Sequence, residues 1–417
     1  MTDKRELREM KSNITDYIDE REIVEFAKEL ARIPSFKEEE TPIARFLESW
    51  FRERGYEVEL QEVEPGRYQT IARLKGTGNG RSLMLNGHID INSLTTGWDR
   101  NPWEPWEDDG KLYGHGLQNM KGGLATMIMA AEAFRKAGRK LSGDIVVACV
   151  AGETQGGVGT SYLMESGLRT DAAILTEPFG PGNICTMHAG IIHLGITVKG
   201  YSGHISRMEN TIHAINKMAG LVKRLETLKF SIEANPQLPK LPLHNVGSII
   251  GGRGESYSLA EAPYVPDICT IVLDVHFLPG QTADAIIDDI ERHLAPLKEA
   301  DPELDYAITL PPPEIIKGRR TIVMESVDVP VDSDIVRIVA ENYEVVAGKK
   351  PNNVGAVLPL SYSACDSSSL WAAGIPSINY GPTTGINLSG PEGAYVAIDE
   401  MVEVAKVIAL SAEEFCK

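Results

Sequence analysis

The most informative segment of this chain reads Leu83-Met84-Leu85-Asn86-Gly87-His88-Ile89-Asp90. It predicts an apolar strand that runs into a glycine and then presents a histidine and an aspartate two residues apart. Because alternate residues of a strand point to the same face, His88 and Asp90 share one side. This spacing suits a metal-binding imidazole whose orientation is fixed by the neighbouring carboxylate. The other interpretation is an ordinary strand end with a capped turn.

The composition is that of a globular protein with an acidic surface. A chain of 417 residues is long enough for two domains with separate cores. The net charge of -18 argues against nucleic acid or an anionic membrane as a partner. The five cysteines are scattered without a CxxC pair, so the sequence predicts neither a disulfide framework nor a thiolate zinc site. Residues 1–20 carry no apolar signal-peptide core and no run is long enough to span a membrane, so we expect a cytoplasmic protein.

Helix and strand patterns alternate in the first part of the chain. The predicted strands are 56–63, 69–75, 82–88, 144–150 and 172–175, and the predicted helices are 14–34, 41–54, 122–136 and 159–166. The run 144–150 is apolar throughout, as expected of a strand that is buried on both faces. This alternation predicts an α/β fold with a mixed, mainly parallel sheet and helices on both faces.

A second pattern of predicted strands and helices begins near His188. Its predicted elements are strands at 191–199 and 268–278 and helices at 210–229 and 281–295. After Pro311-Pro312-Pro313 the α/β pattern returns, with helices at 332–347, at 366–373 and from Asp399, and a strand at 376–380. We therefore expect an inserted α+β domain at 188–305, within a discontinuous catalytic domain formed by 1–187 and 306–417.

Four more polar segments fall at strand-to-loop junctions, where open α/β sheets bind their ligands. They are Tyr113-Gly114-His115-Gly116-Leu117-Gln118-Asn119-Met120-Lys121-Gly122-Gly123, Gly152-Glu153-Thr154-Gln155-Gly156-Gly157, Thr176-Glu177-Pro178, and Tyr380-Gly381-Pro382 with its loop to Tyr395. Together with the first segment they resemble the zinc-dependent aminoacylase/carboxypeptidase family. That family includes acetylornithine deacetylase, succinyl-diaminopimelate desuccinylase and glutamate carboxypeptidase. The resemblance runs from Ile33-Pro34-Ser35 to the closing helix, and it implies a zinc-peptidase-like catalytic domain with an inserted lid and dimerisation domain.

The resemblance also implies roles for individual residues in the hydrolysis of C–N bonds by a pair of metals. His88 and Glu177 match the two exclusive ligands of one metal, and Asp90 matches the carboxylate beside that histidine. Glu153 matches the general base. His204, in Gly-Tyr-Ser-Gly-His, matches the histidine that stabilises the oxyanion from the neighbouring subunit, which implies a homodimer through the inserted domain and leaves a higher homo-oligomer open. The alternative for His204 is a helix-capping histidine.

The second half of the family's metal site is changed in this chain. Asn119 stands in place of the bridging aspartate, and Thr154 in place of the second glutamate. The last histidine ligand of the family falls at Ser389, or at Gly390 if the loop is aligned one residue later. Because both exclusive ligands of the second metal are missing, we expect one divalent ion per subunit, either Mn, Zn or Co. Its ligands would be His88, Glu177 and, more weakly, Asn119.

Two histidines replace arginines of the family: His115 in the second motif, and His276 after the lid strand. With Ser389 they are the candidate substrate-binding residues. His115 or His188 is also a possible substitute metal ligand. Two further alternatives stay open, namely a catalytically inactive binding protein on the same scaffold and a standard dinuclear aminoacyl-peptide hydrolase.

The remaining residues predict a hydrolase that acts on a C–N bond of a small molecule through a metal-activated water, with Glu153 as the general base. A site with one metal needs a more electrophilic substrate than an ordinary amide, or one that stores negative charge itself. The expected activity is therefore either that of an amidohydrolase or deacylase, or that of an aminohydrolase of an electron-poor aromatic amine such as a nitroanthranilate.

Overall fold

The chain folds into two compact units. The computed structural model describes residues 14–258, 261–313, 321–382 and 390–417. The first unit contains residues up to His188 together with Val327–Ser361 and Cys365–Lys417, and the second contains Ala189–Ser326 and Tyr362–Ala364. Within the described residues, no helix combines the length and apolarity needed to cross a membrane.

The described strands, in chain order, are β1 (Glu57–Glu64), β2 (Arg67–Leu74), β3 (Leu83–His88), β4 (Trp106–Asp108), β5 (Lys111–Tyr113), β6 (Ile145–Val150), β7 (Ala172–Leu175), β8 (Asn183–His188), β9 (Gly190–Lys199), β10 (Leu243–Gly252), β11 (Ile268–Phe277), β12 (Asp305–Thr309), β13 (Val323–Met324), β14 (Val327–Asp328), β15 (Asn353–Ala356), β16 (Ser377–Asn379) and β17 (Tyr395–Ala397). The described helices are α1 (Glu20–Ala31), α2 (Thr41–Glu53), α3 (Gly122–Lys136), α4 (Val158–Glu165), α5 (Ala214–Leu225), α6 (Ala283–Ala300), α7 (Asp334–Ala347), α8 (Ser367–Ala372) and α9 (Ile398–Phe415).

A mixed sheet forms the centre of the first unit. Its strand order is β1-β2-β6-β3-β7-β16-β8-β14, with β15 also paired to β8. The central neighbours β6, β3, β7 and β16 are parallel, whereas β1, β2 and β14 pair antiparallel. The predicted fold class, a mainly parallel sheet within an α/β domain, is confirmed.

Every residue of β3 and β6 is buried, because helices cover both faces of the sheet. On one face Leu83 and Leu85 join the large core with α1, α2, α3 and α9. On the other face Met84 packs in a smaller core that includes Leu163 of α4 and Leu370 of α8. This arrangement explains why both strands read as continuous apolar runs.

Close packing of α3 against β7 fixes the chain that follows β7. A Cβ atom added at Gly123 would lie 2.1 Å from the backbone oxygen of Thr176, so only glycine permits this approach. Helix α1 begins after Asp19, whose side chain accepts a hydrogen bond from the backbone N–H of Glu22 at 3.0 Å. That cap makes the helix shorter than the predicted range 14–34.

The second unit contains an antiparallel sheet of order β10-β11-β9-β12, with β13 also paired to β9. Helices α5 and α6 contribute their apolar sides to a core with β9 and β11. The predicted boundary at 305/306 differs from the structural one at 326/327. The physical reason is that β12 and β13 hydrogen-bond to β9 and so belong to this sheet. Sequence analysis also missed β10.

Candidate metal centre and active site

The predicted catalytic residues follow the carboxyl ends of three adjacent parallel strands. His88 is the last residue of β3, Glu153 lies three residues after β6, and Glu177 lies two residues after β7. Since β6, β3 and β7 are neighbours, the three side chains meet at one edge of the sheet. Asn119 reaches the same place from residues 117–121, a short helical segment between β5 and α3.

The ring of His88 is buried and directed by its hydrogen bonds. Its Nδ1 lies 2.8 Å from the backbone oxygen of Asp90, which accepts the Nδ1–H. Its Nε2 faces Oδ1 of Asn119 at 2.9 Å and Oε1 of Glu177 at 3.8 Å. A cation bound between these atoms would take the place of the Nε2 proton.

Asp90 orients the loop of Glu153 and Thr154 as well as the histidine. Its backbone oxygen, rather than the carboxylate expected from the sequence, holds Nδ1 of His88, from which Asp90 Oδ1 lies 3.6 Å away. The carboxylate accepts hydrogen bonds from the backbone N–H groups of Glu153 and Thr154, both at 3.1 Å. It also accepts from the Thr154 hydroxyl at 2.5 Å. Thr154 therefore uses its side chain to fix the loop.

The cluster carries an excess of negative charge. Burial opposes a charged His88, but the carboxylates of Asp90, Glu177 and Glu153 outweigh burial and raise its pKa to about 10. Burial is also the main cause that raises the pKa of Glu153 and of Glu177, against the attraction of His88. Burial and the group of carboxyls around a single imidazole together cause these shifts, and a divalent cation would neutralise part of that charge.

The ligand set available to a cation is small. Among the described residues, no group of three or more His, Cys, Asp or Glu side chains is arranged as metal ligands. His88 and Glu177 supply two strong donors, and Asn119 adds an amide oxygen. These donors would hold a divalent ion together with waters or substrate.

His115 lies in an aromatic environment and does not point into this cluster. It is buried, and its Nε2 lies 2.8 Å from the backbone oxygen of Asn92. The rings of Trp98, Trp103 and Phe36 surround it, with centroids 5.9, 5.4 and 6.3 Å away. Burial lowers the pKa of His115, which favours the neutral ring. Its Nδ1 is buried and has no hydrogen-bond partner among the described residues.

His188 lies in a buried polar group with Ser367 and Cys365. Its Nε2 lies 2.6 Å from Oγ of Ser367 and 3.7 Å from Sγ of Cys365. Within the part of the chain that the structure describes, neither His188 nor His115 belongs to a group of metal ligands. Ser389 lies outside the described residues.

Two predicted site residues lie in the second unit. Nδ1 of the exposed His204 ring accepts a hydrogen bond from the backbone N–H of Ser206. This is the helix-capping role considered above. This bond leaves the ring proton on Nε2. His276 has Nε2 at 3.2 Å from Oδ2 of Asp274 and Nδ1 at 2.5 Å from the backbone oxygen of Tyr362. Both ring nitrogens of His276 therefore contact acceptor oxygens within this unit.

Sequence reasoning missed Asp366, a buried acid that interacts electrostatically with His88, Asp90 and Glu177. The only signal for it was an aspartate at the first position of the predicted helix 366–373, which suggests a helix cap.

Comparison with known proteins identifies the family of this chain. The model of peptidase family M20/M25/M40 matches residues 84–414. The chain belongs to this family. The resemblance inferred from the motifs is thereby confirmed, and this M20 protein is a metal-dependent hydrolase that acts on C–N bonds.

Among curated relatives of this M20 protein, N-formyl-4-amino-5-aminomethyl-2-methylpyrimidine deformylase of Bacillus subtilis (strain 168) is 28% identical over 395 residues, which are 88% of this chain and 87% of that protein. Acetylornithine deacetylase of Salmonella newport (strain SL254) is 31% identical over 287 residues, which are 67% and 72% of the two chains.

Solved structures share the fold. A tripeptidase from Staphylococcus aureus superposes with a TM-score of 0.72 at 18% identity, over 96% of this chain and 99% of that one. A dinuclear metal-binding M20 peptidase from Bacillus subtilis gives a TM-score of 0.66 at 14% identity, over 95% and 98%.

Proposed function

We propose that this M20 protein hydrolyses the amide bond of a small N-acylated molecule at a mononuclear metal site. The observation that carries the proposal is the hydrogen-bonded loop at Asp90, which holds Glu153 beside the cluster of His88, Asn119 and Glu177. Among the described residues the Glu153 carboxylate has no hydrogen-bond partner of its own, which leaves it available to a substrate or a water. Two curated relatives are named a deformylase and a deacetylase, which favours a formyl or acetyl group.

Each residue of the proposed site has a distinct role in the hydrolysis. His88, Glu177 and Asn119 would hold a divalent ion such as Mn, Zn or Co. When bound, such an ion supplies a Lewis acid that polarises the scissile carbonyl and increases the acidity of a water. Glu153 takes the proton of the attacking water and passes it to the leaving nitrogen. Asp90 keeps this base in position through the N–H groups of Glu153 and Thr154.

The proposal of one ion instead of two rests on the altered ligand positions. Asn119 offers one neutral oxygen, which is a poor bridge between two cations. The hydroxyl of Thr154 donates to Asp90 and so does not act as a ligand. A standard dinuclear site would need further ligands beside His88, Glu177 and Asn119.

A second candidate activity is hydrolysis of an aryl amine with release of ammonia. The specific observation in its favour is the loss of two carboxylates at the positions of Asn119 and Thr154, which leaves one cation to stabilise the charge of the intermediate. An electron-poor ring, as in a nitroanthranilate, stores that charge itself. The position of His276 also favours an altered substrate, because its two ring nitrogens are used by Asp274 and Tyr362.

We further propose a homodimer through the second unit. Exposed large apolar side chains concentrate there: Tyr201, Ile205, Met208, Leu243, Ile249 and Tyr264. Strand β10 is an edge strand of ten residues, and an uncovered edge of this length is suited to association with a second copy. In such a dimer the Nε2–H of His204 would be a donor to the substrate of the neighbouring subunit.

A cytoplasmic location is supported by five free, buried cysteines.

Metal removal and product analysis test the proposed function together. The protein is stripped with a chelator, reloaded with Mn, Zn or Co, and assayed on N-formyl amines, N-acetyl amines and amino-aromatics. We expect activity to require metal, one ion per chain by elemental analysis, and formate or acetate as the product. Release of ammonia would favour the second candidate.

Full activity in chelator, or two ions per chain, would contradict the mononuclear mechanism. Metal-free protein that only binds substrates would indicate a binding protein.

A further inference from the structure

Asp366 is a fully buried acid directly before α8. Neither Oδ1 nor Oδ2 has a hydrogen-bond partner among the described residues. An aspartate directly before a helix normally caps it through its side chain. Asp366, however, has helical backbone angles (φ -57°, ψ -21°) and makes no side-chain cap bond to α8. Helix capping therefore does not explain this residue.

The neighbours of Asp366 lie on the face of β3 that carries the proposed metal ligand His88. Asn86 and His88 are two residues apart on β3, so their side chains lie on the same face. The Asn86 amide donates to Oγ1 of Thr160 at 3.2 Å, which leaves the Thr160 hydroxyl proton free. That hydroxyl lies close enough to favour an ionised Asp366, although it does not reach hydrogen-bond geometry. Asp366 thus stands on the same face as the His88 imidazole.

The electrostatic balance at Asp366 is unfavourable in the protein alone. Burial is the main cause that raises the pKa of Asp366 to about 7, and the carboxylates of Asp90 and Glu177 add to it. The attraction of His88 and the Thr160 hydroxyl act in the opposite direction. A buried carboxylate without a hydrogen bond costs several kcal/mol unless a positive charge compensates it.

We propose that Asp366 is a positioning residue of the cation site, whose buried carboxylate holds the divalent ion by charge and through an intervening water instead of as a direct ligand. This inference rests on the proposed function. A direct bond is disfavoured because Asp366 does not form a ligand group with His88 and Glu177 in the described chain. The charge of Asp366 replaces part of what the site lacks at Asn119 and Thr154, where the family has carboxylates.

Replacement of Asp366 by asparagine separates this role from a structural one. Binding of MnCl2 and ZnCl2 is measured by calorimetry, and thermal unfolding is recorded with and without metal. For Asp366→Asn we expect metal affinity to fall about 10- to 100-fold, the range found for outer-shell partners. The metal-free variant should unfold at the same or a higher temperature, because an uncompensated buried charge has been removed. The rise in Tm caused by metal should shrink.

A structural role predicts the opposite pattern: a lower Tm without metal and unchanged metal affinity, which would overturn the inference. Asp288→Asn is the matched control, since Asp288 is an exposed acid in the second unit and its loss should leave metal affinity unchanged. If Asp366→Asn does not fold, Asp366→Ser removes the same charge with a smaller side chain and should weaken binding equally. A wild-type protein that binds neither metal contradicts the proposed function, whereas equal binding by wild type and variant contradicts only the role of Asp366.

Discussion

Glu153 is the side chain on which turnover should depend most. The variant Glu153→Gln keeps the shape of the side chain but cannot accept a proton. We expect kcat to fall about 10²- to 10⁴-fold, the usual contribution of a general base. Metal affinity should stay within a few-fold of wild type, because Glu153 is not one of the proposed ligands. Steady-state kinetics and calorimetry on the same preparation check both parts, and a variant with wild-type kcat would remove Glu153 from the mechanism.

Single residues differ in how far their surroundings can be predicted from the sequence. His88, Glu153 and Glu177 follow buried strands in the chain, so their meeting at one sheet edge follows from the α/β pattern. The position of Asp366 does not, because an aspartate before a helix is usually a cap and the sequence does not reveal its backbone angles. His115 likewise depends on tertiary packing, since Phe36 and Trp103 come from other segments.

At the level of elements, the contact between α3 and β7 connects packing with the metal site. In Gly123→Ala the new Cβ would meet the backbone oxygen of Thr176 at 2.1 Å, so α3 or the segment before Glu177 must shift. We expect a loss of about 1–3 kcal/mol in the free energy of unfolding, the usual cost of overpacking, together with weaker metal binding. Denaturant unfolding and metal titration measure the two effects.

Gly220→Ala is the matched control for this helix substitution. Gly220 lies in α5, is exposed, and has open space where its Cβ would be. Alanine should therefore stabilise the protein by about 0.5–1 kcal/mol through helix propensity. Equal effects of the two substitutions would show that α3 does not pack on the Thr176 segment as described.

The paired strands β9 and β11 carry a charge cluster that should make stability depend on pH. Asp274 has its carboxylate oxygens 3.2 Å from Nε2 of both His193 and His276. Burial opposes a charged His276, but its contacts with Asp274 and the Tyr362 oxygen outweigh burial and raise its pKa. Burial opposes a charged Asp274 as well, yet the two histidines hold its pKa far below the usual range.

The sign of the dependence follows from these directions. A raised histidine pKa gives stability that is fully present below the unfolded value of about 6.5 and is lost as pH rises through the folded value. A lowered aspartate pKa gives stability that is present above about 3.8 and is lost as pH falls. We expect the free energy of unfolding to decrease above pH 6.5 in wild type and to change less in His276→Gln. Urea unfolding at pH 6, 7 and 8 checks this, and parallel curves would contradict it.

Elements differ in predictability for a physical reason. Helix α3 and strands β3, β6 and β7 are buried on all sides, and the sequence shows this directly because most of their residues are apolar. Strand β10 mixes polar, glycine and apolar residues, and most of its side chains are exposed or half-buried, so no clear alternation marks it. Its strand character comes from pairing with β11, a long-range contact that the local sequence does not contain.

For the whole molecule, the exposed edge of the second unit predicts the oligomeric state. Ile249 on β10 is 57% exposed, and a lysine there adds a charge to the edge strand. We expect the wild type to be a dimer by light scattering and Ile249→Lys to shift it towards the monomer. Val331→Lys, at a 56% exposed position of the first unit, should leave the dimer intact. Equal behaviour of the two variants would place any interface elsewhere.

The domain organisation of the whole molecule could be inferred from the sequence, but its second boundary could not. The return of the α/β pattern after the proline run suggested residue 306, whereas β12 and β13 still pair with β9. Short strands such as β13 carry too few residues for a periodic signal, and only their partners reveal where they belong.

The second unit is completed by residues that come much later in the chain. Tyr362–Ala364 belong to it, and the backbone oxygen of Tyr362 lies 2.5 Å from Nδ1 of His276. Directly afterwards Cys365 and Asp366 return to the first unit. An exchange of the second unit between relatives must therefore transplant two separate pieces of the gene, because a single piece would leave this imidazole without its backbone acceptor.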